Sequence, residues 1–160
     1  MLRELNVASQ SWPLATPFRI SRGVKTVAEV VVVEVHQGCA RGRGEGVPYP
    51  RYGETVESVL EQVRSVKHAI SAGMTREALQ EALPPGAARN AVDCALWDLS
   101  AEIAGQSVTA QLGAGPLHSL TTALTIGIDT PSAMRSAPVG INLRRCPIRP
   151  AVASIQTTLQ

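Results

Sequence analysis

Aromatic side chains are scarce in this sequence: two Trp, two Tyr and one Phe among 160 residues. Long apolar runs are missing too. The longest, residues 30–33, is strand-sized, whereas a membrane-spanning helix needs about 18 apolar residues. Cysteine is limited to Cys39, Cys94 and Cys146, an odd number without metal-type spacing. With no secretory-type N-terminus, the expectation is a soluble, reduced, cytoplasmic protein with no membrane partner. Acids stop at Asp129 and lysines at Lys67, while Arg135, Arg144, Arg145 and Arg149 follow. Without those four, eleven cations face thirteen acids, so the net +2 becomes −2 over the first 129 residues. A nucleic-acid binder needs a basic face on its folded part, so nucleic acid is excluded as a partner. "GRGEG" and "GAG" lack the Lys-Ser/Thr that completes a phosphate-binding loop, which leaves a nucleotide site without support.

What is present reads as an ordinary folded domain, with 44% hydrophobic and 18% charged residues. Residues 2–11 read as a strand. "WPLATPFRISRG" follows as a two-proline segment that cannot sit centrally in a sheet. "AEVVVVEV" (28–35) is the clearest strand, being dense in β-branched residues. Residues 40–46 form a third, and short connections suggest an antiparallel meander. Thr55 is placed to cap a helix carrying Val56, Val59, Leu60, Val63, Val66 and Ile70 on one stripe, closed by Gly73. Thr75 opens a short helix that stops at Pro84-Pro85. The longest helix, within "GAARNAVDCALWDLSAEIAG", lines one side with Ala88, Ala91, Val92, Ala95, Leu96, Leu99 and Ile103, and its alanines imply close packing against a neighbour. Residues 121–128 look like another strand, and "DTPSAM" like a helix start. After Met134 no period of 3.6 or 2 is sustained.

Several tempting polar residues have plain readings. Glu45 between two glycines is a structural hydrogen bonder. Asp93 and Asp98 lie five apart and do not share a helix face, so they serve an Arg or backbone amides. His36, His68 and His118 lack acidic or Cys partners nearby in sequence. Trp97 is core, and Cys94 is a small buried hydrophobe.

The stretch "GEGVPYPRYGET" (44–55) holds both tyrosines in a loop stiffened by proline and glycine. Together with "PFRISRG", "AEVVVVEV", "PPGAARNAVDCALWDLSAEIAG" and "TIGIDTP", in this order and spacing, it resembles the enolase superfamily, and within it the dipeptide epimerases. The resemblance covers residues 2 to about 134. It implies an α+β fold: an enolase-like N-terminal capping domain, a three-stranded antiparallel meander plus helices, followed by the start of an incomplete (β/α) barrel. The divisions expected are 1–113 for the cap, 114–134 for the barrel start, and 135–160 for an aberrant, disordered or out-of-frame tail.

The same resemblance implies chemistry. In the family a Mg²⁺ held by three acids stabilises an enolate, and two lysines move the proton next to a carboxylate. Those lysines and acids would lie beyond Lys67 and Asp129, so this chain carries no catalytic residue or metal ligand and is expected to be inactive alone. Two mobile cap loops, "TPFRISRG" and "VPYPRYGE", would close over a dipeptide substrate. Phe18, Tyr49 and Tyr52 supply apolar walls, and Arg22, Arg19 or Arg51 pairs with a substrate carboxylate, Arg22 first. Thr125, on the first barrel strand, matches a substrate-touching position. A cap whose barrel-facing surface is exposed is expected to self-associate. The alternative is a non-catalytic binding or assembly module built on the capping fold.

Overall fold

The structure is a computed structural model that describes residues 2–115 and 126–140. Three strands form one antiparallel sheet in the order β1 (Glu4–Ile20), β2 (Gly23–Gln37), β3 (Ala40–Gly46). Helices α1 (Val56–Ser65), α2 (Lys67–Ser71), α3 (Arg76–Ala82), α4 (Ala87–Ala104) and α5 (Val108–Gln111) follow, and α6 spans Pro131–Gly140. The meander-then-helices order agrees with the sequence.

The sheet has two unequal halves. Near its body β2 pairs with both neighbours: Val31 faces Gly46 on β3 and Ser9 on β1. Beyond Val31, among the described residues, only β1 pairs with it, from Gln10↔Val30 out to Ile20↔Gly23. The result is a two-stranded ribbon turning at Ser21 and Arg22. β1 therefore does not end at residue 11. It passes through Pro13 and Pro17, with a register shift between Pro13 and Phe18. Proline is tolerated there because β1 is an edge strand, whose outward groups need no ladder partner. The segment expected as the first loop is thus the far half of a hairpin.

The core gathers Leu5, Val31, Val33 and Val35 from the sheet with Val59, Val63, Ile70 and Leu79 from α1–α3. Ala88, Ala91, Val92, Ala95 and Leu99 of α4 complete it. Ile103, expected on that stripe, is exposed in the last turn of α4. Thr55 caps α1 through a reciprocal box with Ser58, and Thr75 Oγ1 accepts from Ala78 N to start α3. The single helix expected over 56–70 is split at Val66, where the Ser65 hydroxyl donates to Gln62 O at 2.7 Å, a back-bond that bends helices. Gly73 and Gly105 take left-handed φ values of 96° and 60° where helices terminate.

α4 lies on β3 with almost no space between them. A Cβ on Gly42 would strike Ala95 O and Leu99 N; on Gly44, Ala91 O and Ala95 N; on Gly46, Ala87 O. The contacts step along α4 four residues at a time, and along β3 two at a time. Those steps nearly match: two strand residues advance about 6.8 Å and four helix residues about 6.0 Å. Glycine is demanded here by the helix overhead rather than by any turn. Side chains pin the seam laterally: Asp98 Oδ2 accepts from Arg43 N at 2.9 Å, and Asn90 Nδ2 donates to Glu45 O at 3.1 Å.

Trp97 is half-buried rather than core, and the Arg76 guanidinium stacks 3.2 Å from its ring centroid. Its indole fills the edge of the stripe while a cation covers the outer face. His36 does have an acidic neighbour, with Nε2 3.7 Å from Glu34, because residues two apart on a strand share a face. α6 starts at Pro131 as expected, with Thr130 Oγ1 accepting from Ala133 N, but it continues to Gly140. The tail expected from 135 therefore begins as helix. Of the strand expected over 121–128, residues 126–128 are not strand, and 121–125 lie outside the described residues, as does His118.

Candidate functional site

Two elements carry the residues singled out by the sequence. The ribbon holds Phe18 and Arg19 on β1 and Arg22 in its two-residue turn. The loop leaving β3 makes a 3-10 turn at Pro50–Tyr52, where Tyr52 N donates to Tyr49 O at 2.9 Å and Gly53 N to Pro50 O at 3.0 Å. Pro50 presets the first φ of this turn and Gly53, at φ 77°, supplies the left-handed exit. This compact reversal brings the two tyrosine rings together, with centroids 5.5 Å apart and planes tilted by 46°.

Lys25 joins the two elements. It pairs with Phe18 across the ribbon, and its Nζ lies 5.8 Å from the Tyr49 ring centroid. Phe18, Lys25, Tyr49 and Tyr52 thus form one run of neighbours. Phe18 and Tyr49 are half-buried, while Arg19, Arg22, Arg51 and Tyr52 are exposed. Among the described residues none of these arginines forms an ion pair. The two elements therefore present cations beside apolar rings, an arrangement suited to a ligand with a carboxylate and an aliphatic part. Arg19 also meets the segment after α5: Ile128 N donates to Arg19 O at 2.8 Å, and a Cβ on Gly127 would lie 3.4 Å from that oxygen. Thr125 lies outside the described residues.

Two participants escape a reading by residue type, Lys25 and Glu54. Glu54 Oε2 accepts from Tyr49 N at 2.9 Å and Oε1 from Ala87 N at 2.6 Å. A signal for Glu54 was available. α4 begins after "PPG" with no Ser, Thr, Asp or Asn to cap it, so an acceptor has to arrive from elsewhere.

The other acids singled out by the sequence have structural partners. Glu45 pairs with Arg43 at 3.7 Å, Asp98 holds the Arg43 amide, and Asp93 accepts from Gln80 Nε2 at 3.5 Å. Shifted titration occurs away from the tyrosine loop. A backbone hydrogen bond and the Thr75 hydroxyl lower the exposed Glu77 carboxyl, and burial, then Asp93, raises the half-buried Cys94 thiol. Among the described residues no three His, Cys, Asp or Glu side chains come together to hold a metal. None of their helices is long and apolar enough to cross a membrane.

Comparison with known proteins agrees with this architecture. Residues 2–113 match the family described as mandelate racemase / muconate lactonizing enzyme, N-terminal domain. The chain is 47% identical over 136 residues to the L-Ala-D/L-Glu epimerase of Escherichia coli (strain K12), covering 85% of this chain and 42% of that protein. It is 36% identical over 115 residues to an N-acetyl-D-glutamate racemase of a Pseudoalteromonas species, covering 71% and 36%. An enolase family member from Agrobacterium tumefaciens with homology to dipeptide epimerases, solved with sodium, L-Ala-L-Glu and an ordered loop, superposes with a TM-score of 0.80 at 43% identity. That match covers 84% of this chain and 41% of the other. A dipeptide epimerase from Enterococcus faecalis complexed with Mg and L-Leu-L-Tyr superposes at 0.73 with 28% identity, covering 87% and 42%. The Mg of such relatives does not find a ligand set among the residues described here. The chain spans about two-fifths of the length of the relatives it matches. With its meander, its helices and residues 2–113 all in agreement, it belongs to the mandelate racemase/muconate lactonizing enzyme family of the enolase superfamily, within which its structural neighbours are dipeptide epimerases.

Proposed function

We propose that this chain is the substrate-selecting N-terminal part of a dipeptide epimerase acting on L-Ala-D/L-Glu by 1,1-proton transfer. The observation that carries the reading is the meeting of ribbon and loop at Lys25 and Tyr49. It gathers Phe18, Tyr49 and Tyr52 as apolar walls, with Arg22, Arg19 and Arg51 available to a substrate carboxylate. Arg22 is the first choice, because it stands free at the ribbon tip and a guanidinium matches a carboxylate in shape. Thr125 contributes a further substrate contact from the segment leading to Ile126. The proton-moving and Mg²⁺-binding groups of such an enzyme are absent from these residues, so the chain alone epimerises nothing.

A hybrid tests this reading. Residues 1–134 replace the matching segment of the E. coli epimerase, and epimerisation of L-Ala-L-Glu is followed with Mg²⁺ present. Turnover, together with a rise in KM of at least about tenfold on Arg22→Ala, supports the proposal. A folded hybrid without turnover removes the proposal and favours a non-catalytic binding or assembly module, whereas one that turns over but is indifferent to all three arginine substitutions removes the arginine assignment. Turnover by the isolated 160-residue chain would contradict its inactivity. The exposed Leu112, Ile126 and Ile128 also lead us to propose self-association of the isolated chain. Sedimentation should show a concentration-dependent oligomer, and a strict monomer at high concentration counts against it.

A further inference from the structure

Glu54 stands immediately before Thr55, the cap of α1, yet contributes nothing to that helix. The Thr55–Ser58 box already serves it. Its half-buried carboxylate accepts instead from two backbone amides, Ala87 N at 2.6 Å, thirty-three residues on, and Tyr49 N at 2.9 Å within its own loop. α4 needs this acceptor, because Gly86 at its N-cap offers no side-chain bond. The positive end of an 18-residue helix then favours the negative charge. Gly86 makes the approach feasible: a Cβ there would sit 2.5 Å from Oε1. The second oxygen is left to hold Tyr49, whose ring lies 5.8 Å from Lys25 Nζ and 5.5 Å from the Tyr52 ring.

We propose that Glu54 is the positioning residue of the tyrosine loop. It ties Tyr49 to the start of α4, and α4 is itself fixed to the sheet by the glycine seam, so the aromatic wall holds one place relative to the ribbon. The proposal rests on the reading of that loop as substrate-facing. Glu54 touches no substrate itself. It sets where Tyr49 and Lys25 meet, and so which ligand shapes fit between ribbon and loop.

The test uses the full 160-residue chain and no dipeptide, so its outcome is separate from that of the hybrid enzyme. Amide hydrogen exchange and nuclear Overhauser contacts are read in the parent, Glu54→Ala, Glu54→Gln and Gly86→Ala, with Glu57→Ala as a control acid in the first turn of α1. In Glu54→Ala the Tyr49 and Ala87 amides should exchange about tenfold faster or more. The contact between the Lys25 side chain and the Tyr49 ring should vanish, while Val33 and the Glu57→Ala protein keep their parent values. Glu54→Gln retains one acceptor oxygen and should release one of the two amides. Gly86→Ala should displace the carboxylate without removing it, and free Tyr49 as well. Should Glu54→Ala fail to fold, Gly86→Ala decides, because Glu54→Gln can release either amide. If Ala87 alone responds to Glu54→Ala or Gly86→Ala while the Tyr49 amide and its Lys25 contact stay unchanged, Glu54 is only a helix cap and the proposal falls. A Tyr49 amide already unprotected in the parent overturns it too.

Discussion

The near and far halves of the sheet share two strands but obey different physics. Near the body, β2 has neighbours on both sides and helices on one face, and Val31, Val33 and Val35 are fully enclosed. In the far half the same strand has one strand partner among the described residues, and Trp12, Val24 and Val27 remain exposed. A two-stranded ribbon alone is marginal in water. The difference teaches where stability resides: the near half holds the fold, and the far half carries the cations and Phe18 to which the proposed function assigns substrate contact.

The comparison breaks most severely at the seam. Gly44→Val drives a branched side chain into the α4 backbone and should cost about 3 kcal/mol or more, read as a lower denaturant midpoint. A midpoint within about 0.5 kcal/mol of the parent, the range of ordinary surface substitutions, would mean that α4 is not seated on β3 as described.

A matched pair sharpens the contrast. Leu99→Ala, at a fully buried position, should lose about 3 kcal/mol. Trp12→Ala, on the ribbon and 46% exposed, should lose under about 1 kcal/mol despite removing a larger side chain. Equal losses would show that the ribbon is as integral as the core.

Brief trypsin treatment should next cut at Arg19, Arg22 or Lys25 before Arg43 or Arg89, because the ribbon opens without unfolding the body. Peptide mapping identifies the first cut, and an early cut within β3 or α4 would reverse the ranking.

The smallest effect concerns thiols. Exposed Cys39 should react with a thiol reagent well before half-buried Cys94, whose reaction should begin at higher pH because burial and then Asp93 raise its thiol. With the folded value raised, this group's contribution to stability is fully present below the ordinary thiol value and is lost as pH rises from there through the raised folded value. Simultaneous labelling at neutral pH would place Cys94 in solvent.

Local chemistry was legible in the sequence where the cause lay within a few residues. The run of valines announced β2, Thr55 and Thr75 announced their helices, and Gly105 closed α4. Causes that reside in a distant partner were not legible. The glycines of β3 look like turn residues until α4 is seen lying on them, and Trp97 looks like core until Arg76 covers it. Proline at 13 and 17 excluded a central strand, and the structure takes the edge placement which that rule leaves open. At the site, the ribbon and loop residues were identified by type and resemblance. Lys25 was missed because its role comes from cross-strand register, and Glu54 because its partner Ala87 lies thirty-three residues away.

The near-equal steps of β3 and α4 also restrict how this protein can change length. One residue inserted between Ala87 and Leu99 turns the remainder of the helix by about 100°, carrying alanines away from the glycines and side chains such as Cys94 or Asp98 into their places. One residue inserted in β3 sends Arg41, Arg43 and Glu45 to the helix side instead. Neither error can be repaired by a single substitution. The ribbon has no such ratchet, since paired insertions on its two strands merely lengthen it. Length variation compatible with this architecture should therefore accumulate at the ribbon tip, so that the reach of the ribbon can evolve while its mounting cannot.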